Sequence, residues 1–180
     1  MNKKEITLES KKIYQGKVIN VYQDEALCPN GETSIREVVK HRGGVGIILE
    51  LSDGFVLEKQ YRYALEKEII EIPAGKLEEN EDIFESAKRE LLEETGYRPL
   101  NMIFLGDIYP TAGYSSEVIH LYYCNEAVLE TRHLDKDEVI DLIIVPLKTI
   151  DTLILENEIK DAKTIAAFAL YKLFKEANKI

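Results

Sequence analysis

Apolar and polar positions alternate through the first third of the chain with the period of β-strands. Four such stretches occur, and turn residues rich in glycine, asparagine and aspartate separate the first from the second and the third from the fourth. The third stretch is almost continuously apolar, which predicts a buried strand that pairs with the fourth. The predicted strands lie at 17–22, 34–39, 45–51 and 55–61.

From Asn80 onward the apolar positions follow the period of a helix. Asn80 is a suitable N-cap and Gly96 a suitable residue to end the helix, with one apolar stripe between them. The remaining pattern predicts strands at about 102–108, 118–124 and 139–145, a polar loop at 130–138 and a final helix from near Asp161. Mixed strands with two segregated helices predict an α+β fold, or an α/β/α sandwich.

Composition and charge narrow the class of protein. The 180 residues are 45% apolar and 31% charged, which is typical of a compact globular protein. No stretch of membrane-spanning length lacks a charged residue, and the first residues do not resemble a secretion signal. Cys28 and Cys124 lack metal-ligand spacing and are interpreted as buried or idle thiols in a reducing cytoplasm, with a disulfide as the alternative. The net charge of −10 argues against broad nucleic-acid binding.

The predicted helix ends in a group of acidic residues. Glu90, Glu93 and Glu94 are three and four positions apart, so their side chains project side by side. Like charges at this spacing repel unless a cation lies among them, and hard oxygen ligands suit Mg²⁺ or Mn²⁺. The alternative from composition alone is a solvated acidic helix face.

The spacing of the whole segment favours the metal site over the solvated face. Glycine, five residues, glutamate, seven residues and an arginine-glutamate pair are followed by a second glutamate pair and a glycine. This pattern resembles the Nudix box, the signature of a family of pyrophosphohydrolases. The matching positions are Gly75, Glu81, Arg89, Glu90, Leu91, Glu93, Glu94, Gly96 and Tyr97.

The resemblance implies a role for each matching residue. Glu90, Glu94 and the backbone carbonyl of Ala74 are expected to hold the metal, with Glu93 as a further ligand and catalytic residue. Arg89 is expected to pair with a box carboxylate and hold it in place. The family fold is a mixed sheet between helices. Three further positions are expected to be structural: Gly75, Glu81 and Gly96.

The flanks of the box are similar to those of bacterial ADP-ribose pyrophosphatases. The similarity covers nearly the whole chain and includes residues 36–45, 60–62, 71–75 and 161–164. It implies that Arg36 and Arg62 bind the phosphates or the terminal ribose, since arginine can bind phosphate oxygens bidentately. The alternative for either arginine is a surface ion pair.

Two downstream loops also resemble this subfamily. In the loop 109–117, Gly113 and Glu117 are expected to contact ribose or adenine, although Ala112 stands where the subfamily usually has proline. In the acidic segment 133–140, Glu138 is expected to be the catalytic base or a further metal ligand, with Asp137 as the second candidate. The alternative is an ordinary charged loop.

The resemblance therefore predicts Mg²⁺-dependent hydrolysis of ADP-ribose to AMP and ribose 5-phosphate, with Mn²⁺ as a possible substitute. Residues 1–40 resemble a β element that joins two subunits of a homodimer, and 41–180 form the Nudix domain. The expected partner is a small nucleoside diphosphate, with no nucleic acid or membrane. One alternative is another substrate, such as GDP-mannose, ADP-glucose or a dinucleotide. The other is a catalytically inactive nucleotide sensor.

Overall fold

The computed structural model describes residues 3–180 and divides the chain into two compact units. The first unit comprises the chain up to Gly43 together with Tyr109–Val118, and the second comprises Gly44–Ile108 and Ile119–Ile180. Residues 1 and 2 of the predicted N-terminal β element lie outside the described residues. The division at residue 40 and the role of this element in dimerisation stay predictions.

Three strands form an antiparallel sheet in the described part of the first unit. They are β1 (Ile6–Gln15), β2 (Ile19–Leu27) and β3 (Thr33–His41), in that spatial order. The predicted hairpin is confirmed, because β2 and β3 pair along their whole length across the turn that contains Gly31. The segment 109–118 attaches to β3, where the Val39 N–H donates to the Tyr114 carbonyl at 2.8 Å.

The second unit, all of which is described, is built on a mixed sheet. The order is β10-β5-β4-β9-β8, with β6 beside β5 and β7 beside β4. The pair β4–β9 is parallel and the other pairs are antiparallel. The strands are β4 (Gly44–Leu51), β5 (Gly54–Arg62), β6 (Lys67–Glu71), β7 (Ala74–Lys76), β8 (Tyr97–Ile108), β9 (Ile119–Leu129) and β10 (Ile140–Val145).

Helices cover both faces of this sheet. Successive side chains of a strand point to opposite faces, so neighbouring apolar residues of one strand can pack against different helices. Along β4, Ile47 packs with Leu91 of helix α1 (Ile83–Thr95), whereas Ile48 packs with Phe168 of helix α3 (Ala162–Glu176). Helix α2 (Leu147–Leu155) packs on the α3 side through Ile150. The α+β class and its sandwich arrangement are therefore confirmed.

Two details of the helix prediction were wrong. Helix α1 is capped by Asp82, whose carboxylate accepts the Phe84 and Glu85 N–H groups at 3.0 and 3.1 Å. Asn80 instead occupies the left-handed region with φ of 62°. The second error is that α2 was not predicted; no side chain caps its start at Pro146, although its apolar residues have helical spacing.

Two other predicted helix boundaries, the end of α1 and the start of the final helix, are confirmed. Gly96 ends α1 with φ of 79°, and the side chain of Asp161 caps α3 by accepting the Thr164 N–H at 2.9 Å. In residues 3–180 none of the helices has the length and hydropathy of a membrane-spanning segment.

Candidate active site

Gly75 allows the loop before α1 to approach the helix at the position of Glu90. Strand β7 places Gly75 beside Val45 of β4, and α1 packs on the same sheet through Ala87 and Leu91. A methyl group on Gly75 would lie 1.8 Å from Cδ of Glu90 and 2.1 Å from both of its carboxylate oxygens. Any side chain at residue 75 would therefore displace the Glu90 carboxylate.

Arg89 connects the glutamates of the box. Its Nε and Nη2 atoms donate to the two carboxylate oxygens of Glu81 at 2.7 and 2.9 Å. Its Nη1 lies 2.9 Å from a carboxylate oxygen of Glu93 and 2.9 Å from one of Glu90. Arg89 thus holds box carboxylates as expected, and its hydrogen bonds lower the pKa of Glu81 to about 2. The contacts of Glu81 agree with a structural role.

Glu94 is a buried carboxylate of the helix, and Glu90 is a partly buried one. Glu94 is 3% exposed, and one of its oxygens accepts the Ala74 N–H at 2.8 Å. Burial, and next to it the negative charge of Glu58, raise the pKa of Glu94 to about 10. Burial also raises the pKa of Glu90 to about 7, against the opposing effect of Arg89. Both groups therefore lie where ionisation is unfavourable unless a cation is nearby.

A second ionic group includes Arg62. The Glu71 carboxylate is buried and accepts from Arg62 Nε at 2.7 Å and from Lys163 Nζ. Lys163 also lies 3.1 Å from the Asp161 carboxylate at the start of α3. Among the described residues, Arg62 donates hydrogen bonds through Nε alone, so its terminal nitrogens face no protein acceptor. The predicted alternative, an ion pair, exists here, but it leaves part of the guanidinium available to an anion.

The acidic loop lies near the box glutamates. The charge of Glu138 contributes to the raised pKa of both Glu90 and Glu94. One Glu138 oxygen accepts the Asp135 N–H at 3.3 Å. Arg132 ties this loop to the helix, because it donates to the Glu94 backbone carbonyl and, at 3.0 Å, to that of Ile140.

The other predicted substrate residues belong to the first unit. Arg36 is partly exposed and donates to both Glu5 carboxylate oxygens, at 2.9 and 2.7 Å, as in the alternative of a surface ion pair. Glu117 lies 3.5 Å from Nδ1 of His41. A methyl group on Gly113 would meet no atom within 4 Å. The roles of these residues in substrate binding stay predictions.

The arrangement around Glu90 and Glu94 fits a divalent cation in charge and in donor chemistry. The buried Glu94 carboxylate, the partly buried Glu90 carboxylate and the Ala74 backbone offer the hard oxygen donors that such ions prefer. As they stand, no three His, Cys, Asp or Glu side chains of residues 3–180 form a group that would hold a metal ion. One carboxylate oxygen of Glu90 is paired with Arg89, so a cation would have to replace that contact.

Several residues around the box have no role that the sequence predicted, namely Glu58, Glu71, Arg132 and Lys163. Glu58 carried a detectable signal, because it interrupts the apolar residues of a predicted strand. The contacts of the others include partners far away in the sequence: Lys163 is 92 positions from Glu71, and Arg132 is 38 positions from Glu94.

Comparison with known proteins agrees with the fold and the box. A family model of the NUDIX domain matches residues 40–168, and the chain belongs to the Nudix family. It is 40% identical to an ADP-ribose pyrophosphatase from Bacillus subtilis, over 96% of this chain and 95% of the relative. It is also 40% identical to a methanol dehydrogenase activator from Bacillus methanolicus, covering 94% and 93% of the two chains.

A solved structure supports the fold independently. The crystal structure of an ADP compounds hydrolase superposes with a TM-score of 0.85 over 98% of this chain and 97% of the other. The two sequences are 20% identical, so this similarity concerns the fold alone.

Proposed function

We propose that this Nudix hydrolase cleaves ADP-ribose to AMP and ribose 5-phosphate in the presence of Mg²⁺, which Mn²⁺ can replace. The observation that carries the proposal is the intact site: buried Glu94 accepts the Ala74 N–H, and the Glu90 carboxylate lies against Gly75. The chain with this site is 40% identical, over 96% of its length, to an ADP-ribose pyrophosphatase.

Nudix hydrolases generally need a divalent metal. Here the metal would be held by Glu90, Glu94 and the Ala74 carbonyl, with Glu93 and Glu138 as further ligands. A bound cation of this kind neutralises charge on the bridging and leaving oxygens of a diphosphate.

The chain's own residues supply orientation and proton transfer. Arg89 fixes Glu93, which we also assign as a catalytic residue, at 2.9 Å. A carboxylate oxygen of Glu138 takes the proton from the attacking water, and Asp137 is the second candidate for this base. The weak 3.3 Å contact of Glu138 with the Asp135 N–H leaves its carboxylate able to reorient.

Cationic side chains bind the rest of the substrate. The terminal nitrogens of Arg62 face the phosphates, while its Nε stays fixed by the buried Glu71 carboxylate at 2.7 Å. Arg36 binds the phosphates or the terminal ribose after exchanging its contact with Glu5. Gly113 and Glu117 contact ribose or adenine, and Ala112 tunes the loop that carries them.

We further propose a cytoplasmic homodimer joined by the N-terminal strands, without nucleic-acid or membrane partners. Strand β1 supports this, because its apolar side chains Ile6, Leu8 and Ile13 are more than half exposed. The free thiols of Cys28 and Cys124 are typical of a reducing compartment. Gel filtration with light scattering tests the dimer, and a monomer at micromolar concentration would refute it.

The function is tested with a panel of ADP-ribose, ADP-glucose, GDP-mannose and dinucleotides, assayed with Mg²⁺ for phosphate-containing products. ADP-ribose is expected to be cleaved fastest; turnover no faster than that of the other substrates would overturn the assignment. The variant Glu94→Gln is expected to lose at least about 100-fold in kcat while still binding nucleotide. A wild-type protein that binds nucleotide without any turnover would instead indicate an inactive sensor.

A second candidate function is activation of a methanol dehydrogenase. It is favoured by the 40% identity to the methanol dehydrogenase activator, which extends over 94% of this chain. Adding the protein with Mg²⁺ to a methanol dehydrogenase should then increase the dehydrogenase rate, and Glu94→Gln should abolish the increase. An unchanged rate with the wild-type protein would remove this candidate.

A further inference from the structure

Glu58 is a buried acid in the middle of β5, outside the Nudix box. It is 1% exposed, and its Oε1 atom has no hydrogen-bond partner in the described residues. An unpaired polar atom in such a position is costly, and an unpaired charge more so. The residue therefore calls for a physical explanation.

The side chain of Glu58 projects into the layer between the sheet and α1. Along β5, Phe55 and Leu57 pack in the apolar layer on the α3 side, whereas Val56 packs with Leu91 of α1. Because strand side chains alternate, Glu58 shares the face of Val56. Glu94, three residues after Leu91 on α1, is buried in the same layer. The two carboxylates thus face a common space.

The cations near Glu58 are bonded to other groups. Lys163 and Arg62 both bind the neighbouring carboxylate of Glu71, and Arg132 donates to backbone carbonyls. Gln60, two positions further along the same face of β5, also has a buried carbonyl oxygen without a partner. Two hard oxygen donors therefore lie unpaired on one strand face beside Glu71, to which Glu58 is paired in register.

We propose that Glu58 is a further carboxylate of the divalent-cation site, outside the Nudix box, and that it binds the cation together with Glu94. The inference rests on the proposed metal site, since it adds a ligand to it. Divalent Mg²⁺ and Mn²⁺ take carboxylate and amide oxygens of this kind. A role as metal ligand also explains why an acid that destabilises the metal-free fold is kept at a buried position of β5.

The test measures Mn²⁺ binding by titration calorimetry and the melting temperature with and without metal. The variants are Glu58→Gln and, as a matched control, Glu68→Gln, which removes an exposed carboxylate from the adjacent strand β6. Glu58→Gln is expected to bind Mn²⁺ about 10- to 100-fold more weakly. Without metal it should melt at least about 2 °C higher than the wild type. Glu68→Gln should match the wild type in both measurements.

Failure of this inference is distinguishable from failure of the proposed function. If the wild type binds Mn²⁺ and Glu58→Gln binds it within about twofold, the extra ligand is refuted while the metal site stands. If the wild type binds no Mn²⁺, the metal site itself is refuted. A lower melting temperature of metal-free Glu58→Gln would overturn the argument that Glu58 is unpaired. Should Glu58→Gln not fold, Glu58→Leu, which matches the apolar strand, is measured in the same way.

Discussion

Replacing Gly75 with alanine tests whether the loop before α1 positions the Glu90 carboxylate. The added methyl group would lie 1.8 Å from Cδ of Glu90. Carbon atoms in ordinary contact are about 3.5–4.0 Å apart, so the carboxyl group has to move by roughly 2 Å. Misplacing a catalytic group by about 1 Å can cost about 100-fold in rate. We therefore expect Gly75→Ala to lower kcat for ADP-ribose by at least about 100-fold.

The clash should also lower the free energy of unfolding by an amount that can be measured. Overpacking of this kind costs about 1–3 kcal/mol of unfolding free energy. The cost should largely disappear in the background Glu90→Ala, where the atoms that the methyl group would meet are absent. Urea unfolding of the two single variants and the double variant, together with kcat, gives both quantities.

Two results would refute this reasoning. An activity of Gly75→Ala within about threefold of the wild type would mean that the position of Glu90 does not limit the reaction. An equal loss of stability from Gly75→Ala with and without the Glu90 carboxylate would mean that the methyl group does not meet it.

Two further predictions concern the stability of helix α1. Asp82→Ala removes the acceptor of two N–H groups and should lower the unfolding free energy by about 1 kcal/mol in urea titrations; an unchanged midpoint would contradict the cap. Glu81 has its pKa lowered from 4.5 to about 2 by Arg89, so its contribution to stability is complete above pH 4.5 and is lost as the pH falls through about 2. The difference in melting temperature between wild type and Glu81→Gln should shrink over that range, and a constant difference would argue against the ion pair.

Local patterns predicted most of the elements because their causes are local. The strand period and its turns located β4 and β5, and the apolar stripe with Gly96 located α1. The start of α1 was misplaced because Asn80 and Asp82 are both good caps. The choice between them depends on the backbone: a left-handed Asn80 leaves Asp82 in extended conformation before the helix.

The candidate site was predictable where its residues follow one another in the sequence. The spacing of the box implied that Glu90 and Glu94 share a helix face. The family resemblance implied that Arg89 pairs with a box carboxylate, as it does in the structure. The partner of Arg62 was not predictable, because Glu71 reaches it through the pairing of β5 with β6. Helix periodicity carries no information about which strands lie side by side.

The ionic group around Glu71 and the carboxylates around Glu94, both in the second unit, differ in their balance of charge. Glu71 is buried but binds two protein cations, so its charge is compensated in the folded chain alone. Glu94 is equally buried, yet its carboxylate receives a backbone N–H and faces further acids. Evenly matched charges would make a stable but inert cluster. An excess of buried carboxylate beside Ala74 instead disfavours the metal-free protein. In the proposed metal site it would contribute to the binding energy of a divalent cation, because a ligand that binds only the folded state stabilises it.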